Sequence, residues 1–313
     1  HPGSLWKPEV TPEICAAEAR NLLAAFFREA RSAGRELPIR MRNGFDSEYA
    51  VQLNVLMREV FDFDFDFWFR RGMWSDKYES FSLIDAGRMV AHVGVSRMKL
   101  RVKGKEFFAI QLGGVATSPE ARGQGYMRRL LGGVLRRYAE TPVFLFANDS
   151  VSDFYPKFGF SAARTMRPVA RLSIDNPFEP ERCTPDAAAP LAGKRRFPSA
   201  VFDVLDCREL RCFHLFGGYA DRLLRLGPGL AVAAEQCGDT LLLHELLCDR
   251  PVDWETLAAR LPFRNIRRVE FGFPPDRLGV EFDWETPPEP EHLFLRGGWD
   301  LPENFSIPAF AVT

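Results

Sequence analysis

Apolar positions along this 313-residue chain fall into stretches of helical spacing and stretches of strand spacing, and the switches between them outline its elements. Thr11 to Ala33 reads as a helix: Thr11 caps, Pro12 takes the first helical position, and Ala16, Leu23, Ala24 and Phe27 form one stripe before Gly34. A second helix is predicted from Ser47 to Val60, with Tyr49, Leu53, Leu56, Met57 and Val60 on one face. Phe61 to Trp68 then alternates aromatic and acidic residues, so an extended segment there would carry one aromatic and one acidic face.

From Phe81 to Thr117 the spacing turns strand-like, with strands predicted over Phe81–Ile84 and Met89–Val102. In the second of these the apolar parity moves from Val93 and Val95 to Met98, Leu100 and Val102, and a bulge near Ser96 accounts for the switch. Lys103-Gly104-Lys105 makes a hairpin turn, and the uncharged Phe107–Thr117 returns as a central strand covered on both sides. Gly123–Tyr138 is a helix with Met127, Leu130, Leu131, Val134 and Tyr138 at helical spacing and Arg128, Arg129, Arg136 and Arg137 on the remaining surface. A short buried strand follows at Val143–Phe146, then a helix opening at Ser150–Tyr155 that Pro156 and Gly159 stop, then a strand over Met166–Leu172.

Asn176 to Pro190, rich in proline and alanine, reads as an interdomain linker. Beyond it the order of elements partly repeats: a hairpin from Leu230–Ala234 and Thr240–Leu247, a helix over Asp253–Leu261 and a strand over Ile266–Phe273. Phe271-Gly272-Phe273 echoes Phe158-Gly159-Phe160, so the second half reads as a shortened, diverged copy of the first. The expected partition is an N-terminal helical extension over 1–37, a first domain over 38–175, a linker over 176–195 and a second domain over 196–313. His1-Pro2-Gly3-Ser4 reads as a possible tag remnant.

Composition narrows the class. Apolar residues make up 46% and charged residues 27%, with 41 lysines and arginines against 42 aspartates and glutamates, so the net charge of −1 gives no overall pull toward nucleic acid or anionic lipid. The longest uncharged stretch, Phe107–Pro119, is far short of the roughly 20 residues a membrane span needs. The expectation is a soluble protein with no nucleic-acid or membrane partner and no visible signal peptide. The six cysteines are irregularly spaced and read as reduced thiols in a cytoplasm. Cys207, Cys212, His214, His244 and Cys248 match no standard metal spacing, so buried core rather than a metal is expected there.

The chemistry concentrates between Gln111 and Leu131, where a buried strand runs through a glycine-containing loop into an amphipathic helix. The first turn of a helix leaves backbone amides unpaired and carries partial positive charge. Gly123 and Gly125 let that backbone approach a ligand, Arg122, Arg128 and Arg129 add full charge, and the whole suits a phosphate or pyrophosphate. The Gly-Lys-Ser/Thr ending of a triphosphatase loop and the downstream acidic residue of a dinucleotide fold are both missing.

Arg122-Gly123-Gln124-Gly125 after Val115-Ala116-Thr117-Ser118-Pro119 resembles the pyrophosphate-binding motif of the GNAT acetyltransferases. Phe154-Tyr155-Pro156-Lys157-Phe158-Gly159-Phe160 is similar to that family's second motif, aromatic-Tyr-x-x-x-Gly-Phe, and Met127 stands where the family often has a small residue. The resemblance implies an α/β (α+β) GNAT fold, a mixed, mostly antiparallel central sheet flanked by helices, with 38–175 as the catalytic domain and 196–313 as a second, degenerate GNAT-like domain. It implies acetyl-CoA as co-substrate, no metal, and direct transfer to a primary amine in a ternary complex.

Cofactor contacts are then expected from Val115, Ala116, Thr117, Arg122, Gly123, Gln124, Gly125, Tyr126, Met127 and Asn148, in a splay between the strands ending at Thr117 and near Asn148. Tyr155 is expected to protonate the leaving thiolate, with a packed core aromatic as the alternative. The acceptor is expected to be a small-molecule or peptide amine. Asp62, Asp64, Asp66 and Trp68 are candidates to bind it, against the alternative of a buried aromatic face and a solvated acidic one. The general base stays open among Asp149, Asp62, Asp64, Asp66 and a carboxylate at Thr313 if the tail folds back; oligomeric state is equally open. The second half lacks loop glycines, and Asp249, Asp253 and Glu255 there would repel phosphate, so it is expected to complete the acceptor cleft without binding CoA. The competing reading is a catalytically idle acyl-CoA-binding sensor or scaffold.

Overall fold

The computed structural model describes residues 37–196, 199–289 and 291–313. The helix expected over Thr11–Ala33 lies outside the described residues. The first half runs β1 (Ile39–Arg42), α1 (Ser47–Phe61), α2 (Asp66–Phe69), β2 (Tyr78–Asp85), β3 (Arg88–Val102), β4 (Lys105–Thr117), α3 (Tyr126–Arg137), β5 (Val143–Phe146), β6 (Ser161–Ala163) and β7 (Arg167–Ile174). The second runs α4 (Pro185–Ala192), β8 (Phe202–Leu205), α5 (Arg208–Phe216), β9 (Leu223–Gly227), β10 (Leu230–Cys237), β11 (Thr240–Cys248), α6 (Trp254–Ala258), β12 (Ile266–Phe271), β13 (Asp283–Glu285) and β14 (Leu293–Arg296).

Among the described residues these strands form an eight-stranded sheet, ordered β1-β2-β3-β4-β5-β14-β6 with β8 added beside the far end of β3, and a six-stranded sheet ordered β13-β7-β12-β11-β10-β9. The fold is mixed α/β with mostly antiparallel sheets; β4 with β5 and β11 with β12 pair in parallel. Two antiparallel strands, a helix and a parallel strand thus recur in both halves, as the repeat in the sequence requires.

The sheets do not follow the expected boundaries at 175 and 196. β7 leaves the first sheet and pairs with β12 and β13, while β14 crosses back to lie between β5 and β6. The first half therefore lends β7 to the second sheet, and the second half lends β14, along with β8, to the first. β7 and β14 are interior strands with buried apolar residues, Val169 and Ala170 in β7 and Leu293 and Phe294 in β14, so neither sheet closes its core without the other half. The segment read as a linker is likewise built in: Thr184 caps α4, and Ala188, Ala189 and Ala192 bury its inner face.

Two local readings also change. β3 has no bulge at Ser96, since its pairing with β2 and β4 runs without a shift from Gly94 onward. The apolar parity switches because the covering element changes. Val93 and Val95 face the cluster under Leu130, Leu131 and Val134 of α3, whereas Met98, Leu100 and Val102 face a second cluster with Phe202 and Phe305 on the opposite side. The Phe61–Trp68 run is not extended. Asp62 ends α1 in the left-handed region (φ 58°), Asp64 accepts the Asp66 amide at 2.8 Å, and Asp66 opens α2. Short acidic side chains that bond neighbouring amides favour such turns over a strand.

β8 and β11, one in each sheet, are joined by a buried ionic cluster. Arg195 bonds both carboxylate oxygens of Asp203 at 2.8 Å and reaches Glu245 at 3.2 Å. Arg211 approaches the other Glu245 oxygen at 3.6 Å, and all four side chains are almost completely buried.

Candidate active site

β4 and β5 pair only from Ile110↔Val143 to Leu112↔Leu145, and β4 continues to Thr117 with its β5-facing edge open. The splay begins at a β-bulge: on β3, His92 and Gly94 oppose Ala116 and Gly113, which leaves one extra residue on β4 around Gly114. Ser118 turns its amide to Val90 on the β3 side at 3.0 Å, so the two-residue alternation turns the amides of Thr117 and Val115 toward the opening.

Gly114 takes φ +55°, which glycine tolerates, and its carbonyl meets His92 Nδ1 at 2.7 Å. A carbonyl only accepts, so Nδ1 carries the proton; Nε2 then accepts from Ser80 Oγ at 2.8 Å, and Ser80 Oγ takes the Tyr49 hydroxyl at 2.9 Å. This buried chain fixes the carbonyl of the bulge from beneath. Burial lowers the His92 pKa to about 4, with the Gly114 bond opposing in part. The unfolded chain takes up the proton first as pH falls below 6.5, so the stability that neutral His92 contributes is present above that pH and is lost toward pH 4. Urea unfolding at pH 7 and pH 5 is expected to show about 2 kcal/mol of pH-dependent loss in the native protein that is absent in His92→Gln. Equal losses in both proteins would remove His92 as the source.

At the open end of the splay, Gly123 and Gly125 both take the left-handed conformation (φ 78° and 75°), and α3 starts without a side-chain cap or an acidic residue in its first turn. A Cβ on Gly125 would meet nothing within 4 Å, so the space before the helix is clear. The first intrahelical amide is that of Arg129, bonded to the Gly125 carbonyl at 3.1 Å, which leaves the preceding first-turn amides pointing out of the helix. Tyr126 is buried and Met127 half-buried against the α3 cluster, while Arg122 and Gln124 are exposed on the loop. Asn148 is exposed just past β5. Val115 and Thr117 thus lie on the open edge of β4, Gly123 and Gly125 before the start of α3, and Asn148 just past the end of β5. Open strand amides, an uncapped helix start and a clear approach over glycine fit the diphosphate and pantetheine arm of a CoA thioester.

The helix expected at Ser150–Tyr155 is replaced by two short 3₁₀ turns, Asp149–Val151 and Tyr155–Phe158. Tyr155 is 4% exposed, with its ring between Phe154, Phe160 and Phe294 at centroid distances of 5.5, 5.9 and 5.7 Å. Phe294 belongs to the lent strand β14, so the second half fixes this tyrosine. Desolvation raises its pKa to about 12.

On the other face of the sheet a cavity with about 740 Å³ of free space, including its mouth, opens over Gly113 and Gly114. Phe63, Phe65 and Trp68 line it, but Asp62, Asp64 and Asp66 do not. Arg58 pairs with Asp64 at 2.7 Å, Arg70 and Asn54 hold Asp66, and Asp62 caps α1. The aspartates are thus corrected to helix-end residues, with the Asp64 pKa lowered chiefly by the Asp66 amide. Asp149 pairs with His292 at 2.8 Å and stands outside this cavity, whereas Thr313 folds back to its floor, where a Cβ on Gly113 would lie 2.7 Å from the Thr313 Cβ.

Sequence reasoning missed the wall that comes from the second half: Asp206, Glu209 and Phe213, on and just before α5. Lys77 from the first half pairs with Asp206 at 2.8 Å and stands 3.5 Å from Glu209 Oε2. Burial opposes the Lys77 charge, yet the Asp206 bond and the two carboxylates hold its pKa above the ordinary value. The only signal for Glu209 was an acidic residue in a first helical turn, which helices favour with or without a site.

In the second half β12 stays against β11 one residue past their last strand pair. Gly272 packs on His244, to which a Cβ would come within 2.9 Å at Cα, and its amide bonds Leu243 at 2.8 Å. Asp253 caps α6 by accepting the Thr256 amide at 2.7 Å. The cysteines and histidines weighed as metal ligands are dispersed over separate core clusters and contacts, and among the described residues no group of three or more ligating side chains forms. No helix among them is long and apolar enough to cross a membrane.

Residues 45–163 match the acetyltransferase (GNAT) domain family. No curated protein matches the chain. Among solved structures, a probable N-acyltransferase from Enterococcus faecalis V583 is similar over 83% of this chain and 72% of its own, at 10% identity and a TM-score of 0.53. Eis1 from Mycobacterium abscessus is similar over 82% and 73%, at 14% identity and 0.51. A GCN5-related N-acetyltransferase from Anabaena variabilis is similar over 83% and 72%, at 12% identity and 0.51. At these identities the likeness is one of fold, and it spans both sheets. Residues 45–163 thus carry an acetyltransferase (GNAT) domain, and the likeness of fold extends over the second sheet.

Proposed function

We propose that the protein is an acetyl-CoA-dependent N-acetyltransferase that transfers acetyl directly to a primary amine in a ternary complex. The observation that carries this reading is the cleft where the open edge of β4 meets the uncapped start of α3 on one side of the bulge, with an aromatic-lined cavity on the other. When bound there, acetyl-CoA supplies an acyl carbon activated by a thiolate leaving group.

In this reading the amides before Arg129, with Gly123, Gln124 and Gly125 giving them access and Arg122 adding charge, hold the diphosphate. Val115 and Thr117 offer their amides to the pantetheine arm and the thioester carbonyl, Ala116 forms the strand floor between them, and Asn148 closes the β5 side. His92 keeps the bulge in shape through the Gly114 carbonyl. The amine nitrogen forms its bond to the acyl carbon from the cavity side as the carbon–sulfur bond breaks. Tyr155 gives its phenolic proton to the departing sulfur, and its raised pKa keeps that proton in place at neutral pH. The amine loses its proton to a carboxylate of the cavity. The five described cysteines are free thiols, which suits action in the cytoplasm.

The competing reading, an idle acyl-CoA-binding module, is favoured by one observation: none of the aspartates expected as base or amine ligand faces the cavity. Release of free thiol from acetyl-CoA decides between them. Amine-dependent release above the hydrolysis background is expected; tight CoA binding with no release for any amine would select the idle module.

A further inference from the structure

We propose that the acceptor is a primary amine with a single positive charge on an apolar, aromatic or branched body, and that Glu209 receives one of its N–H groups. The inference rests on the N-acetyltransferase reading and deepens it.

The cavity beside Gly113 and Gly114 is walled by Phe63, Phe65, Trp68, Tyr78, Met98 and Phe213. The rings pack on one another across the two halves: Phe213 stands 6.4 Å from Phe63 and 5.9 Å from Phe65, and Trp68 is edge-on to Tyr78 at 5.5 Å. Trp68 Nε1 donates to the Glu209 carbonyl at 3.0 Å, which ties the aromatic wall to α5. Such a wall takes an apolar body by excluding water from it and offers ring faces to a cation.

The charged side chains of the cavity limit what else fits. Among the charged side chains, Lys77 sets one positive charge against the two carboxylates of Asp206 and Glu209, and the Thr313 carboxylate weighed as base lies at the floor of the same cavity. Arg97, which also borders the cavity, sits at an odd position of β3 and turns its side chain to the opposite face with Lys99 and Arg101. A polyamine or aminoglycoside would bring more charges into an aromatic site than its carboxylates answer, at a heavy desolvation cost. Glu209 Oε2 is a buried atom with no hydrogen bond, only the Lys77 ammonium at 3.5 Å. That vacant acceptor beside the aromatic wall suits one N–H donor.

The test measures kcat/KM by thiol release from acetyl-CoA with phenylethylamine, spermidine and kanamycin, beside calorimetric binding of CoA alone. Phenylethylamine is expected to exceed both polycations by at least about tenfold. Glu209→Gln is expected to raise the KM for phenylethylamine about tenfold to a hundredfold, the range of a charge-assisted hydrogen bond, and to leave CoA affinity unchanged. Faster turnover of spermidine or kanamycin would overturn the inference, as would an unchanged KM in the variant. Preference for a long-chain acyl-CoA without preference among amines would also overturn it, by assigning the cavity to the acyl chain. In each of these cases intact CoA binding leaves the acetyltransferase reading standing, whereas absent CoA binding removes that reading itself.

Discussion

Tyr155→Phe is expected to lower kcat by at least about 10²-fold at pH 7 while leaving CoA affinity and folding unchanged. The three rings around Tyr155 contact its ring, and phenylalanine keeps that packing, so the substitution removes little besides the O–H. A thiolate expelled without a proton donor leaves as a full anion in a partly desolvated cleft, and the barrier rises accordingly. The raised pKa of about 12 has a second consequence: this group holds its proton across the ordinary assay range, so an activity loss near pH 10 must come from another group. Single-turnover kinetics with saturating acetyl-CoA separate this chemistry from binding. Unchanged turnover in the variant would reduce Tyr155 to a packed core aromatic.

Arg195→Met is expected to destabilise the fold by about 3–5 kcal/mol. Arg195 is nearly buried and is bonded to Asp203 in β8 and Glu245 in β11, so its loss leaves Asp203 without its countercharge and Glu245 with only Arg211 at 3.6 Å. The amides of Ser199 and Val204 still reach Asp203, at 2.8 and 2.9 Å, but an amide only partly offsets a buried negative charge. Because β8 lies in one sheet and β11 in the other, the same substitution loosens the seat of α5, which begins three residues after β8 and carries part of the cavity wall. Equilibrium unfolding in urea at neutral pH measures the change. A loss below about 1 kcal/mol would show that the cluster is tolerated rather than needed.

Much of the first half was legible because its signals are local. Gly123 and Gly125 announce a backbone open to close approach, and the space beside Gly125 is clear for 4 Å. The spacing of Leu130, Leu131 and Val134 announces a helix with one buried face, and all three are fully buried. Val143–Phe146 announces a short strand, and its bounds are those observed.

What failed was non-local. The residues of β7 and β14 say strand, but nothing in either run says which sheet takes it, because register and partner are set by surfaces far away in the chain. In β3 the parity switch at Ser96 has the same sequence signature whether the strand bulges or the covering layer changes, and the layer is what changes. The alternation of Phe61–Trp68 copies a strand, yet bonds between positions two to eleven apart, through Asn54, Arg58 and Asp64, hold it as a turn. Asp206 and Glu209 were invisible for a related reason: they reach the first half's cavity only because α5 packs across the divide.

The central claim is a diphosphate cradle at Gly123–Gly125, and calorimetric titration with coenzyme A of the native protein and of Gly125→Val tests it most directly. Gly125 sits at φ 75° with clear space beyond it, so valine both strains the loop and fills the approach. The account predicts one CoA per chain for the native protein and an affinity at least about tenfold weaker for the variant. No binding, two molecules per chain, or native affinity in the variant would contradict it.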